Sequence, residues 1–416
     1  MPRFLSIALL CCAACCSSAW AGENWPQLLG PQGDGHAESK DLPIKWSETE
    51  NVVWKTPIHG KGWSSPVVWG NQIWMCTAPA DGKQMFGVCV DKNSGKVVYD
   101  LKLFDVAEPQ FCHDLNSQAS CTPVIEEGRV YLHFGAYGTA CVDTATGKTL
   151  WSRNDLPCNH YRGPGSSPIL AGDLLIVHYD GFDFQYVQAF DKHTGKTVWK
   201  KDRNIDYGTD NGDIYKAYST PTLITVNDRE QLISTTSKAV LAYEPKTGEE
   251  IWRVRYKGFS ATARPLYANG LLFINTGFSK ADLLAVLPNG TGDVTETHVV
   301  WTTSKSVPSK PSQLLFDDLL FMIHDGGVAS CLEAKTGELV WSQRLGGNFS
   351  SSPLYAAGRL YCFSQEGVCT VLAASREYSV LSTNTLSDGF MASPAASGSA
   401  LILRTRTHLY RIENKP

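Results

Sequence analysis

One phrase recurs along this chain, and it limits the fold more than any other feature. Asp143-Thr-Ala-Thr-Gly147-Lys runs on to Trp151, Asp191-Lys-His-Thr-Gly195-Lys to Trp199, and Glu244-Pro-Lys-Thr-Gly248-Glu to Trp252. Glu333-Ala-Lys-Thr-Gly337-Glu runs to Trp341, Asp91-Lys-Asn-Ser-Gly95-Lys to Tyr99, and a looser copy from Pro288-Asn-Gly290 to Trp301. Each reads as a strand end, a tight turn and a new strand, with the acidic residue accepting turn N–H groups and glycine taking the positive-φ position. A repeat of roughly 40–50 residues is the mark of a solenoid, propeller or array.

A second signature marks where each unit begins. Ser64-Ser-Pro66, Cys121-Thr-Pro123, Ser166-Ser-Pro168, Ser219-Thr-Pro221, Ala263-Arg-Pro265, Ser309-Lys-Pro311, Ser351-Ser-Pro353 and Ala392-Ser-Pro394 make eight starts. Each is followed by two short apolar runs around a turn, the pattern of a β-hairpin. No segment carries a sustained 3.6-residue apolar period, so few helices are expected. The reading is an all-β, eight-bladed β-propeller of four-stranded antiparallel blades. The last unit runs out of chain after three strands, and Asn51-Val-Val-Trp54 is an outer strand with no unit of its own. The N-terminal strand is therefore expected to complete the last blade and remove two exposed sheet edges. The seventh unit lacks the glycine and the tryptophan at Leu372-Ala-Ala-Ser375-Arg, and Val380 is expected in the outer slot.

The domains follow: 1–21 a signal peptide, 22–50 an extended leader, 51–416 the propeller. Arg3, an apolar run from Phe4 to Cys16 and Ala19-Trp-Ala21 before Gly22 fit an export signal, so a periplasmic or extracellular protein is expected. Cys11, Cys12, Cys15 and Cys16 at its end leave lipoprotein anchoring open. No other segment has the roughly 18 apolar residues of a membrane span. A formal net charge of −4 provides no basic footprint for nucleic acid. Beyond residue 21 nine cysteines remain, an odd number. Cys89, Cys141 and Cys331 share one repeat position with Ala189 and Ala242, which suits packing under the tryptophan better than redox chemistry.

The phrase small-x-Asp-x-x-Thr-Gly-Lys-x-x-Trp, with the Ser-Ser-Pro start and the Trp25-Pro-Gln27…Gly30-Pro31 leader, resembles the pyrroloquinoline quinone (PQQ)-type repeat of secreted bacterial propellers. That resemblance implies an eight-bladed propeller with tryptophan-docked blades. The group holds both quinoprotein dehydrogenases and non-enzymatic proteins similar to the outer-membrane assembly factor BamB. The dehydrogenase branch implies adjacent cysteines over the quinone, a calcium held by carboxylate and amide oxygens, and an aspartate base. Residues 22–416 carry no Cys-Cys pair and no Cys-x-x-Cys-His.

Function is expected in the unrepeated connections between blades, which gather on one face of a propeller. Cys112-His113-Asp114-Leu-Asn116, residues 154–165 with His160 and Arg162, and residues 203–216 with Asp213 and Lys216 are long and polar. His113 and His160 suit a general base or metal ligand, or equally a loop-pinning hydrogen bond. Cys112 and Cys158 lie in neighbouring connections, where a disulfide is open. Asp206, Asp210, Asn211 and Asp213 offer calcium-type oxygens but read more simply as turn residues. Arg162, Lys216, Arg264, Lys310 and Arg404 recur near the starts and would form a cationic ring if they face the channel; Asp213, Asp325 and Asn348 would otherwise neutralise them.

Three functions follow. The first is a secreted non-catalytic binding or scaffold propeller of the cell envelope, without cofactor or metal, holding an envelope protein, peptide or glycan. The second is a PQQ- and Ca2+-dependent dehydrogenase of alcohols or sugars with His113 or a loop aspartate as base. The third is a hydrolase or lyase built on His113, His160 and Arg162.

Overall fold

The structure, a computed structural model, describes residues 22–278 and 280–415. The expected export signal and its four cysteines lie outside the described residues. Eight sheets follow one another around a central axis, each with an antiparallel four-stranded core. Blade one runs through Val67–Trp69, Gln72–Thr77, Gln84–Asp91 and Val97–Asp105 from the channel outward, and the others repeat that order. Among the described residues helix is confined to Thr295–His298 and a 3-10 turn at Gly212–Ile214.

The ring closes as the orphan strand required. Val52–Pro57 pairs antiparallel with His408–Ile412, with Trp54 opposite Arg411 and Thr56 opposite Leu409. The eighth blade is thus one strand from the start of the chain and three from its end.

Side-chain alternation explains the repeat. Cys141 and Cys331 sit directly opposite Trp151 and Trp341, as Ala189 does Trp199, and Cys89 sits opposite Tyr99. All four small residues are wholly buried, so the thiols fill space beneath an indole or phenol ring. Burial raises the Cys141 thiol to about 12, far from the range where a thiolate reacts. The nine described cysteines are free, Cys112 and Cys158 included.

Each indole then reaches across to the next blade. Trp54 Nε1 donates to Lys92 O at 2.8 Å, Trp151 to Lys192 O at 2.9 Å, Trp199 to Pro245 O at 3.0 Å and Trp301 to Ala334 O at 3.1 Å. In these four the acceptor is the residue after the turn's acidic position, and Trp341 donates to Ser375 O at 3.0 Å in the turn of blade seven, which has no acidic residue at that position. The turn glycine lies under the ring: a Cβ on Gly195, whose φ is +70°, would come within 2.6 Å of Trp151. Trp252 departs from this pattern. It donates to Gln231 Oε1 at 2.8 Å, and Gly292–Asp293, from the insertion that loosens the phrase in blade five, adds a fifth, parallel strand beside it.

Two expectations need correction. In blade seven, Ser382 rather than Val380 stands in the tryptophan position, opposite Val371, and Val380 pairs with Leu372. The missing indole comes from the leader: Trp46, 3% exposed, stacks on Tyr361 at 6.4 Å, as Trp341 packs on Phe321 of its own blade. In blade six the true start is Ser312-Gln313, two residues before the inner strand Leu314–Phe316, so Ser309-Lys310-Pro311 belongs to the preceding connection.

The leader crosses the propeller from the underside. Trp25 exchanges both backbone bonds with Val68 of blade one, Pro26 O accepts from Ile125 of blade two, and Gly35 O accepts from Tyr355 of blade seven. His36–Ala37 pairs parallel with Leu354–Ala356. These bonds satisfy inner strand edges that would otherwise face a channel. Replacing Trp46 by Ala removes a buried indole between the leader and blade seven. Urea denaturation should show a loss of about 3–5 kcal/mol, and limited proteolysis should cut within 22–50 before the propeller itself.

Candidate functional site

The inner strands are spaced by a relay of hydroxyl groups. Ser65 N donates to Thr122 Oγ1, Thr122 N to Ser167 Oγ, and Ser167 N to Thr220 Oγ1, each at 2.9 Å. Arg264 N donates to Ser312 Oγ and Ser312 N to Ser352 Oγ at 2.9 Å, Ser352 N to Ser393 Oγ at 3.0 Å, and Ser393 N returns to Ser65 Oγ at 2.9 Å. The second residue of each start is therefore Ser or Thr for a physical reason: its oxygen receives the N–H of the blade before. Arg264 interrupts the relay because it has no hydroxyl to offer Thr220.

Above this ring opens a cavity of about 510 Å3, lined by all seven hydroxyl residues and by the blade connections. Leu28 of the leader forms part of its floor, so the channel is stopped from below. Arg264 fixes that floor. Its Nη1 donates to Leu28 O at 2.6 Å, Nη2 to Gln27 Oε1 at 3.0 Å and Nε to Thr222 Oγ1 at 2.9 Å. Only 3% exposed, its guanidinium is pushed down to about 10 by burial, with the charge of Asp34 opposing.

The other cations divide into three settings. Arg162 holds Asp213 through two bonds, Nε–Oδ1 at 3.0 Å and Nη2–Oδ2 at 2.8 Å, and the buried Lys216 closes on the same carboxylate. Burial works against ionisation of Asp213, and these two cations outweigh it to hold the carboxyl below its usual value. Lys310 pairs with Asp325 at 3.1 Å. Arg162, Asp213, Lys310 and Asp325 line the cavity. Arg404 does not. It is 2% exposed and donates to the carbonyls of Ser64 and Cys76 at 2.8 Å, between blades eight and one. Asn348 bonds Glu366, its Nδ2 to Oε1 at 2.9 Å, and lies away from the cavity.

The two histidines also separate. His113 reaches the cavity, with Nδ1 accepting from Leu115 N at 3.1 Å. Asn116 beside it donates to the carbonyls of Arg162 and Pro164 at 2.9 and 3.1 Å, tying two connections together. His160 turns inward: its Nε2 accepts from Ala136 N at 3.0 Å, so the proton resides on Nδ1, 3.8 Å from Cys158 Sγ. Burial lowers His160 to about 4. It pins a blade-two loop and does not join His113 in one site.

Several residues were beyond the motif reading. Trp63, Phe259 and Phe278 give the cavity an apolar wall, the last two rings meeting edge-on at 6.1 Å. Outside the mouth, Phe111, Tyr161 and Phe182 form a chain of exposed rings at 5.7 and 5.3 Å. A fully buried pair, Asp180 with Arg203 at 2.8 and 2.6 Å, extends through Ser234 to His178 Nε2 at 2.9 Å. It anchors the exit of blade three's outer strand.

The quinone-and-calcium site that the repeat resemblance implies can be compared with these donors. Among the described residues no three His, Cys, Asp or Glu side chains converge as a metal would need. The cavity carboxylates are already held by cations, and Asp206 and Asn211 serve turn N–H groups. The residues do not fit the calcium.

Eight four-stranded blades, indole contacts to the following turn and one cavity at the channel mouth define a PQQ-type repeat propeller. The chain belongs to the family described as outer membrane protein assembly factor BamB, whose model matches residues 47–182, 183–314 and 292–397. A curated relative of that description from Legionella pneumophila (strain Paris) is 26% identical over 213 residues. That match covers 50% of this chain and 51% of the relative, so the chain spans about half the length of the curated relative it matches. BamB from Moraxella catarrhalis superposes with a TM-score of 0.60 at 12% identity, over 87% of this chain and 99% of that one. A europium-containing methanol dehydrogenase superposes with a TM-score of 0.69 at 11% identity, over 93% and 90%. Quinohemoprotein alcohol dehydrogenase from Comamonas testosteroni reaches 0.68 at 10%, over 96% and 82%. At these identities the superpositions establish the fold alone.

Two stability measurements test this description. Asp180→Ala leaves Arg203 charged and unpaired in the interior and should cost about 3–5 kcal/mol in chemical denaturation. His160 in the folded state takes up its second ring proton only below about 4, whereas unfolded histidine does so near 6.5. The unfolded chain thus holds more protons between those values, so stability is full above pH 6.5 and falls as pH drops toward 4. A His160→Gln variant should show a shallower fall in Tm over that window.

Proposed function

We propose that this protein is a non-catalytic binding propeller of the cell envelope that holds a ligand or partner at the channel mouth and its surrounding loops. The observation that carries the reading is the cavity's composition: a floor closed by the leader, and carboxylates each engaged by a cation, so that none is left as a base or metal ligand. His113 is the single histidine lining the cavity, its Nδ1 is taken up by Leu115 N–H, and among the described residues no carboxylate bonds its ring as a hydrolytic triad requires. Membership of the BamB family supports a scaffold role, with an envelope protein, peptide or glycan as partner. Among the described residues no helix is long and apolar enough to cross a membrane, and the export signal read from the sequence supports a periplasmic or extracellular location.

Purified protein incubated with PQQ and Ca2+ should give no dye reduction across a panel of alcohols and sugars. Saturable quinone binding with turnover would overturn the non-catalytic reading and install the dehydrogenase in its place.

A further inference from the structure

The hydroxyl ring has a property that backbone spacing does not use up. Each of its seven oxygens accepts one N–H, yet among the described residues none of the seven hydroxyl hydrogens has a protein acceptor. All seven side chains are at least nine-tenths buried, and all line the cavity. A buried polar hydrogen left without a partner is costly, so such a ring is suited to receive acceptor oxygens from a bound molecule.

A second observation points the same way. Arg264, set into the gap of the ring, is neutralised by no carboxylate in contact: its bonds go to carbonyl, amide and hydroxyl oxygens. Asp34 of the leader offsets part of this charge from a distance but makes no bond to it, and an anion set directly above the guanidinium is favoured further. The remaining cavity charges add to that field, because Arg162 and Lys216 share one carboxylate, Asp213. A neutral polyol carries no charge to meet this field.

The third element is shape. Trp63, Phe259 and Phe278 offer apolar ring surface on the same cavity, and Phe278 is 60% exposed. A volume of about 510 Å3 falls within the usual range for a small-ligand site.

We propose that the channel mouth is a receptor site for an acidic sugar, a uronate or sugar sulfate of one or two rings. Its anionic oxygens take the hydroxyl ring's hydrogens above Arg264, and a C–H face of the pyranose lies on the aromatic wall. This rests on the binding-propeller reading and gives that site a ligand class.

The test is calorimetric titration of the purified protein with glucuronate, glucose 6-sulfate, glucose and inorganic sulfate. Glucuronate and glucose 6-sulfate should bind at one site, with glucose and inorganic sulfate at least about tenfold weaker, since each lacks one of the two recognised features. Phe278→Ala, at an exposed ring, should weaken the acidic sugars about three- to tenfold at unchanged Tm. Thr220→Val removes one donor and should weaken them by about tenfold. Equal binding of glucose and glucuronate, inorganic sulfate binding as tightly as the sugar acids, no binding at all, or indifference to both substitutions would each overturn the proposal. None of those results touches the non-catalytic reading, which fails only on quinone-dependent turnover.

Discussion

A hydroxyl that accepts its neighbour's backbone N–H sets the spacing of everything around the axis. Eight inner strands face a common channel, and each has an unpaired edge that water or another chain would otherwise have to satisfy. A short side chain at the start of seven of the eight units accepts the N–H of the unit before at 2.9–3.0 Å, which fixes the ring's diameter without filling it. A larger residue breaks the relay, and at Arg264 the break is used: the guanidinium holds the leader across the floor. The indoles of Trp54, Trp151, Trp199, Trp301 and Trp341 perform the complementary task at larger radius, each bonded to the turn of the following blade.

Charge is distributed according to the same geometry. Cations deep in the structure meet carbonyls, as Arg404 does, or a dedicated carboxylate, as Arg203 does. Those at the mouth share a smaller supply of acidic partners. The interior network contributes shape and position more than net stability, because desolvation offsets most of the attraction in a buried pair. The mouth keeps a cavity lined by hydroxyl side chains that donate to no protein acceptor among the described residues, and that difference separates structural polar residues from those available to a ligand.

Much of the architecture was legible from the sequence because it rests on local periodicity. The Asp…Gly turn, the tryptophan after it and the Ser/Thr start recur in register, and Trp54 without a preceding hairpin revealed the closure. Departures arose where a long-range contact replaces the local signal. Ser382 could replace an indole because Trp46, over 300 residues earlier, occupies the space. Ser312 could be mistaken for a connection because Gln313 stands where other units have proline. The cations near the starts were visible as residues, but their partners were not: Asp213 lies on a connection between blades and Asp325 in the turn between blade six's second and third strands, and no period describes the folding of either. Trp63, Phe259 and Phe278 carry no motif, and the hydroxyl ring showed itself only as a repeated Ser or Thr whose bonds run between blades.

The eighth blade has a consequence for how the chain reaches this state. Its outer strand is made first and its other three last, and leader contacts to blades seven and eight also join residues more than 300 positions apart. Such contacts carry a high loop-closure cost and form late. Until the final strands emerge, the first blade has no neighbour on one side and the leader no complete floor to cross. The finished ring is therefore expected to lock in a single late cooperative step.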